Sequence, residues 1–323
     1  MPKTFLKYNQ QMKHLRDAKH IVCNGSGDKE ILCRNGYFNL VNGYKTPFIQ
    51  GIDSSGHKYY LPNTSINEMF HLKKFDENLR LLLLGCITKA EEEVRTFAAY
   101  KFDLVNERGN VHWYDTAAYS PNKSITDIVK IVSTGYSEIS RSRLNYVKHY
   151  LDQHHSIPTW VYFKVIRFST FISTLTLCKE EVCSSLCNLY KMVKNNGKPY
   201  FKLLINSLQF LRTVRNACAH NERVYDIYRT NGRILEPVIM SFRPIYRKER
   251  KQMIIDSLIY LKYYLDPNEY EKLIDDFYCL LQDLKTNISA NAFDRVRAKL
   301  GFKNLDDVLF LKTNRILKFY NKF

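Results

Sequence analysis

The chain is poor in the residues that interrupt helices. It has 12 Gly and 9 Pro in 323 residues, which excludes a densely looped β architecture over most of its length. Long apolar runs are missing as well: the longest, Leu81 to Ile87, falls far short of the roughly 20 residues a membrane-spanning helix needs. The opening Met1-Pro2-Lys3-Thr4 carries no apolar stretch of the secretory type, so the expectation is a cytoplasmic, reduced setting with no membrane partner. The eight cysteines include no Cys-x-x-Cys pair, and Cys178, Cys183 and Cys187 lie on an apolar helical run where they read as small hydrophobes. There is no His-Glu-x-x-His, no Gly-rich phosphate loop, no Walker lysine and no Gly-x-Ser-x-Gly elbow. His154 and His155 are adjacent rather than at ligand spacing, and Asp275-Asp276 and Asp306-Asp307 fall on exposed helix faces. No metal site and no cofactor is expected.

Acidic residues are the other shortage. Against 49 Lys and Arg stand 32 Asp and Glu, a net charge of +17. The surplus is concentrated: residues 141–260 hold 20 basic and 8 acidic residues, a surplus of 12, leaving 5 for the remainder. A basic surplus of this kind suits a polyanionic partner, above all nucleic acid; a merely solvated basic surface is the plainer alternative.

What is abundant is helix-forming apolar periodicity. Residues 1–20 read as a helix with a basic face. The glycines then cluster between 21 and 64, the one stretch where strands or irregular loops are expected, as at Tyr37–Val41 and Lys58–Leu61. Pro62-Asn63-Thr64-Ser65 offers a cap for a helix from near Ile66 to about Asp103, with a possible break at Gly85. Glu91 and Arg95 stand four apart on it. On an open surface they make a minor pair; in a cleft the glutamate orients an arginine toward phosphate. After a loop at 104–122, helices are expected at 124–135, 138–154, 161–176 and 180–194. An irregular stretch follows at 230–247, then helices at 248–265, 269–284 and 293–300, with a short one near the C-terminus. The expected fold is mainly α: an N-terminal aromatic, loop-rich segment (1–65), a helical core (66–235) and a C-terminal helical extension (236–323).

One stretch carries chemistry. The run from Tyr200 to Val214 repeats Leu204, Leu208 and Leu211 on one helix face and delivers Arg215-Asn216-Ala217-Cys218-Ala219-His220-Asn221-Glu222-Arg223-Val224-Tyr225. A permanently charged arginine grips phosphate oxygens, and an imidazole that titrates near neutrality moves protons. In RNA cleavage the 2′-hydroxyl is the nucleophile, so such a pair needs neither metal nor protein nucleophile. The spacing alone is unspecific: a loose pattern of arginine, four to six residues, then histidine also fits Arg143 and His149, and a histidine that simply ends a helix is the commoner case.

The stretch 215–226 resembles the signature of the abortive-infection AbiD/AbiF-like proteins, a branch of the HEPN superfamily. The polar residue after the arginine, Asn216, belongs to that signature, whereas Arg143 is followed by Leu144. Further blocks fall in the same order: Gly36-Tyr37-Phe38-Asn39-Leu40 with Gly43-Tyr44-Lys45-Thr46-Pro47-Phe48, Phe75-Asp76 with Leu79-Arg80, Glu91 with Arg95, Lys148-His149-Tyr150, and Ile157-Pro158-Thr159-Trp160. Beyond about residue 235 no resemblance extends.

The resemblance implies a HEPN-type helical bundle and a metal-independent endoribonuclease of phage defence, toxin-like, acting on RNA and restrained by a structured RNA. It implies a composite site in a homodimer, since the chain has one convincing copy of the motif. His220 is then the proton-transfer residue, Arg215 the phosphate clamp and Asn216 the residue that orients them. Glu91 and Arg95 support the site, with Arg223 and Tyr225 as supporting or RNA-contacting residues. Glu222 stands where some other HEPN groups carry a tyrosine. Two rivals remain: a non-catalytic RNA-binding module, and a protein–protein regulator that uses the same helix.

Overall fold

Ser65 starts the element on which the rest is laid. Its side-chain oxygen accepts from the Glu68 amide at 3.1 Å, and its own amide donates to Glu68 Oε2 at 2.9 Å, a reciprocal cap that satisfies two helix-end groups at once. Helix α3 (Ile66–Asn106) follows for 41 residues. Gly85 is exposed and does not break it. Leu72, Phe75, Leu79, Leu83 and Ile87 recur on one buried face, and Val94, Ala98 and Phe102 extend it. The computed structural model describes residues 5–107, 111–230 and 251–313.

Before α3 come α1 (Tyr8–Lys19) and α2 (Gly25–Asn35), then a hairpin of β1 (Ile49–Ile52) and antiparallel β2 (Lys58–Tyr60). Where a strand or irregular loop is expected at Tyr37–Val41, the chain forms a π-helical turn, Phe38–Asn42. The physical reason lies in its burial. Leu40 and Val41 are both buried, which one turn of helix achieves and a strand, with alternating faces, does not. The Leu40 and Lys45 amides find the carbonyls of Gly36 and Val41 locally, at 3.1 and 3.0 Å.

The middle of the chain forms α4 (Ile125–Ser140), α5 (Asn145–His154), α6 (Thr159–Val165), α7 (Phe168–Leu177), α8 (Glu180–Leu189) and α9 (Phe201–Ala219). The break between α4 and α5 falls later than the sequence pattern suggests. The run expected at 161–176 is two helices, split at Ile166-Arg167. That split is held from both sides: Glu138 accepts from the Arg167 amide at 2.6 Å, and Arg95 donates to the carbonyls of Phe163 and Ile166. The last carbonyls of α6 thus find a guanidinium in place of a further helical turn. Helices α6, α8 and α9 pack on α3. Trp113 lies flat on Tyr162, with centroids 3.9 Å apart, and its indole N–H donates to the Ile157 carbonyl.

The C-terminal helices are α10 (Ile254–Tyr264), α11 (Pro267–Asn287), α12 (Ala290–Leu300) and the short α13 (Asp307–Phe310). Every residue of α10 is buried, as expected of a helix enclosed on all sides; it packs on α3, α9 and α11. Ser289 donates to Glu68 Oε1 at 2.7 Å, and Arg295 to the carbonyls of Pro47 and Ile49. The last helices therefore close on the first segment, around one continuous apolar core. The fold is mainly α. Apart from residue 230, the irregular stretch expected at 230–247 lies outside the described residues. Among the described residues no helix is long and apolar enough to cross a membrane.

Candidate functional site

Helix α9 runs against α3 and brings its end beside two charged pairs set into the buried face of α3. The first is Glu91 with Arg95. Glu91 Oε1 accepts from Arg95 Nη2 at 2.7 Å and from Nε at 3.1 Å. Arg95 is nearly enclosed: besides its two carbonyl partners it lies over the rings of Phe171 and Phe168, 5.0 and 5.4 Å from their centroids. Its contacts therefore build the floor of the site. Burial, reinforced by the charge of Arg215, lowers its pKa against the pull of Glu91.

The other oxygen of Glu91, Oε2, is buried and has no hydrogen-bond partner; Arg215 Nε lies 3.5 Å from it. Two guanidiniums thus share one carboxylate, which leaves one positive charge uncompensated within the group. Arg215 is the solvent-facing member, 36% exposed at its side chain, and its Nη1 donates to Asn216 Oδ1 at 3.3 Å. An arginine held by its Nε edge keeps its other donors available for an anion. Asn216 is accordingly placed to steady Arg215, and its carbonyl accepts the His220 amide at 3.0 Å.

His220 ends α9 as its C-cap residue and is exposed. Asn221 then takes a left-handed conformation, φ 55°, and the Glu222 amide returns to the Ala217 carbonyl at 2.9 Å. This is the turn chemistry that terminates a helix and sends the chain back. Arg143 and His149, which fit the looser pattern with one more residue between them, do not share a helix: Arg143 precedes α5, and His149 sits on it beside Tyr150 and His154.

The second charged pair, Asp76 with Arg80, fixes the segment after His220. Asp76 is fully buried and accepts from Arg80 Nη1 at 2.6 Å, the Tyr44 hydroxyl at 2.9 Å, the Val224 amide at 3.1 Å and the Tyr225 amide at 2.7 Å. Arg80 also donates to the Glu222 carbonyl. Tyr225 is buried and stacks on Tyr44, with ring centroids 6.3 Å apart. Arg223 lies near the Tyr225 ring, pairs with Asp226 at 2.7 Å and donates to the Gly43 carbonyl. Arg223 and Tyr225 therefore anchor the segment onto the N-terminal aromatic block. Sequence reasoning assigned no role here to Asp76, Arg80 or Tyr44. The available signal was a pair of opposite charges four apart on an otherwise apolar stripe, where unpaired charge is too costly to bury.

A groove of about 690 Å³ opens along α3 beside Arg215. Glu91 and Arg95 form its floor, and the exposed rings of Tyr100 and Trp160 together with Lys164 stand along it. His220 and Asn216 are not among its lining residues. Among the described residues no group of three or more His, Cys, Asp and Glu is placed to hold a metal ion. The buried thiols of Cys183, Cys187 and Cys218 are pushed up to about 12 by burial, the state of inert packing groups.

The matched region includes both charged pairs, the N-terminal aromatic block and the whole of α9: the family model described as Abi-like protein covers residues 30–226. The chain belongs to the Abi-like protein family. Family membership points to abortive-infection phage defence, and the Abi-like match ends at Asp226, the partner of Arg223. No curated protein and no solved structure matches the chain.

Proposed function

We propose that this Abi-like protein is a metal-independent endoribonuclease of the HEPN type, in which Arg215 holds the scissile phosphate and His220 transfers the proton. The carrying observation is the shared carboxylate. Glu91 is saturated by Arg95 through one oxygen and holds Arg215 through the other, so the cluster keeps a net positive charge at the groove. Such a site favours the extra negative charge of a phosphorane more than that of the ground-state diester.

In this reading the 2′-oxygen attacks the adjacent phosphorus as its proton passes to a base. The P–O2′ bond forms and the P–O5′ bond breaks; the leaving 5′-oxygen takes a proton. The products are a 2′,3′-cyclic phosphate and a 5′-hydroxyl end, with no net change in protons. Five residues along a helix correspond to a rotation of about 140° and a rise of about 7.5 Å. Arg215 and His220 of one chain thus leave the helix in different directions. That offset supports a site completed by a second copy, each histidine working with the arginine of the other chain. The basic surplus suits an RNA substrate and also a structured RNA that restrains the enzyme.

The test is incubation of wild-type protein and His220→Ala with total RNA in EDTA. Because His220 is exposed, the variant should fold with stability within about 0.5 kcal/mol of wild type. The expected result is discrete fragments ending in cyclic phosphate from wild type alone. Equal cleavage by both proteins would overturn the residue assignment. Intact RNA in both lanes with a saturable band shift would favour a non-catalytic RNA-binding module.

A further inference from the structure

Two of the exposed aromatic rings line the same groove. Tyr100, on α3, is 52% exposed and Trp160, on α6, is 58% exposed. The fold does not need Trp160 as a core residue. The other tryptophan, Trp113, is 1% exposed and fills that role through its stack on Tyr162.

The remaining walls narrow the choice of occupant. Thr88 and Thr96 turn their hydroxyls back to carbonyls of their own helix, Leu84 and Glu92, and so leave largely apolar surface. Lys164, Asp103 and Glu92 supply a donor and acceptors along the sides, and Arg215 stands at the edge. The volume lies within the range of about 300–1,000 Å³ typical of small-ligand sites. Flat rings for a π-face, mixed polar groups for an edge and a guanidinium for a neighbouring phosphate together match one chemical object, a nucleotide whose base is unpaired.

We infer that this groove binds an unpaired base of single-stranded RNA next to the scissile phosphate, stacking it on Trp160 and Tyr100. The inference rests on the nuclease reading only for what lies beside the base. Asp103 and Glu92 then accept from exocyclic amino groups or other N–H groups at the base edge, while Lys164 meets the backbone phosphate. A duplex is excluded because its bases are already stacked on one another.

The test uses full-length protein carrying His220→Ala, in EDTA so that the RNA stays intact, and reads tryptophan fluorescence. Trp113 is buried, so Trp160 is the ring a ligand reaches. Titration with a single-stranded RNA 12-mer of mixed sequence should give saturable quenching. A duplex of the same sequence should give none, and adding Trp160→Phe should abolish the signal while preserving much of the affinity. Adding Trp160→Ala, a change at an exposed position, should weaken single-strand binding by about tenfold or more. Unchanged affinity in Trp160→Ala, or equal quenching by the duplex, overturns the inference and leaves the groove to a protein partner.

Wild-type cleavage of the same 12-mer, scored separately, keeps the two readings apart. Cleavage without quenching removes the base site and keeps the nuclease. Quenching without cleavage does the reverse.

Discussion

Replacing Asp76 by alanine tests how the segment after His220 is held. The carboxylate is fully buried and is the acceptor for four donors: Arg80, Tyr44 and the backbone amides of Val224 and Tyr225. Removing one partner of a buried ion pair costs about 3–5 kcal/mol, because the remaining charge is stranded. Each buried donor left without an acceptor adds about 1–3 kcal/mol, less whatever relaxation recovers. These terms are not additive, since they share one site, so a loss of at least about 4 kcal/mol is expected. That is a large part of a stability that for most domains lies near 5–15 kcal/mol. Urea unfolding measures the total. Hydrogen exchange locates it: the Val224 and Tyr225 amides should lose protection first and by the largest factor. Asp76→Asn retains one acceptor oxygen for those amides and should fall between alanine and wild type. A loss below about 1 kcal/mol for Asp76→Ala, or unchanged exchange at Val224 and Tyr225, would refute the argument that this carboxylate fixes the segment.

Three further outcomes are expected from particular contacts. Glu91→Gln removes the charge that tethers Arg215 but keeps an oxygen for Arg95, so cleavage kinetics should show kcat lowered about 10- to 100-fold with no rise in KM; a raised KM at constant kcat would contradict this. Gly135→Ala places a methyl 2.5 Å from Cε2 of Tyr162, a ring pinned against Trp113, and thermal unfolding should show a loss of about 1–3 kcal/mol. The Lys262 ammonium is buried and donates to the carbonyls of Leu311 and Thr313; burial lowers its pKa to about 8. Between pH 8 and the ordinary lysine value the unfolded chain holds the extra proton, so this group makes the fold more stable as pH rises. Relative to Lys262→Met, wild type should gain at most about 1.4 kcal/mol per pH unit above 8; a flat difference between pH 7 and 9.5 would count against the depressed value.

Much of the helical layout was legible because it is written in local periodicity and caps. Pro62-Asn63-Thr64-Ser65 marks the start of α3 in sequence, and Ser65 caps it in the structure. The motif on α9 was legible for the same reason, as an apolar stripe that ends in polar residues. The turn at Phe38–Asn42 was not: its β-favouring residues amid glycines read locally as a strand or irregular loop, and only the need to bury the neighbours Leu40 and Val41 together decides otherwise. The division between α6 and α7 depends on Arg95, 68 residues before Phe163 in sequence. The acceptor role of Asp76 was similarly hidden, since its partner amides lie 148 and 149 residues away. Charges four apart on a helix reveal a pair, but not what the pair is holding.

Both pairs stand on one unbroken helix, with Asp76 and Glu91 separated by 15 residues. At about 1.5 Å and 100° per residue, that interval works as a ruler of about 22 Å with a fixed angular setting. Changing a side chain within it alters one contact. Inserting or deleting one residue turns one clamp by about 100° relative to the other, so that Arg215 and the Val224–Tyr225 amides can no longer both be met. Lineages of this chain should therefore accept many substitutions between these two acids while keeping the number of residues between them constant.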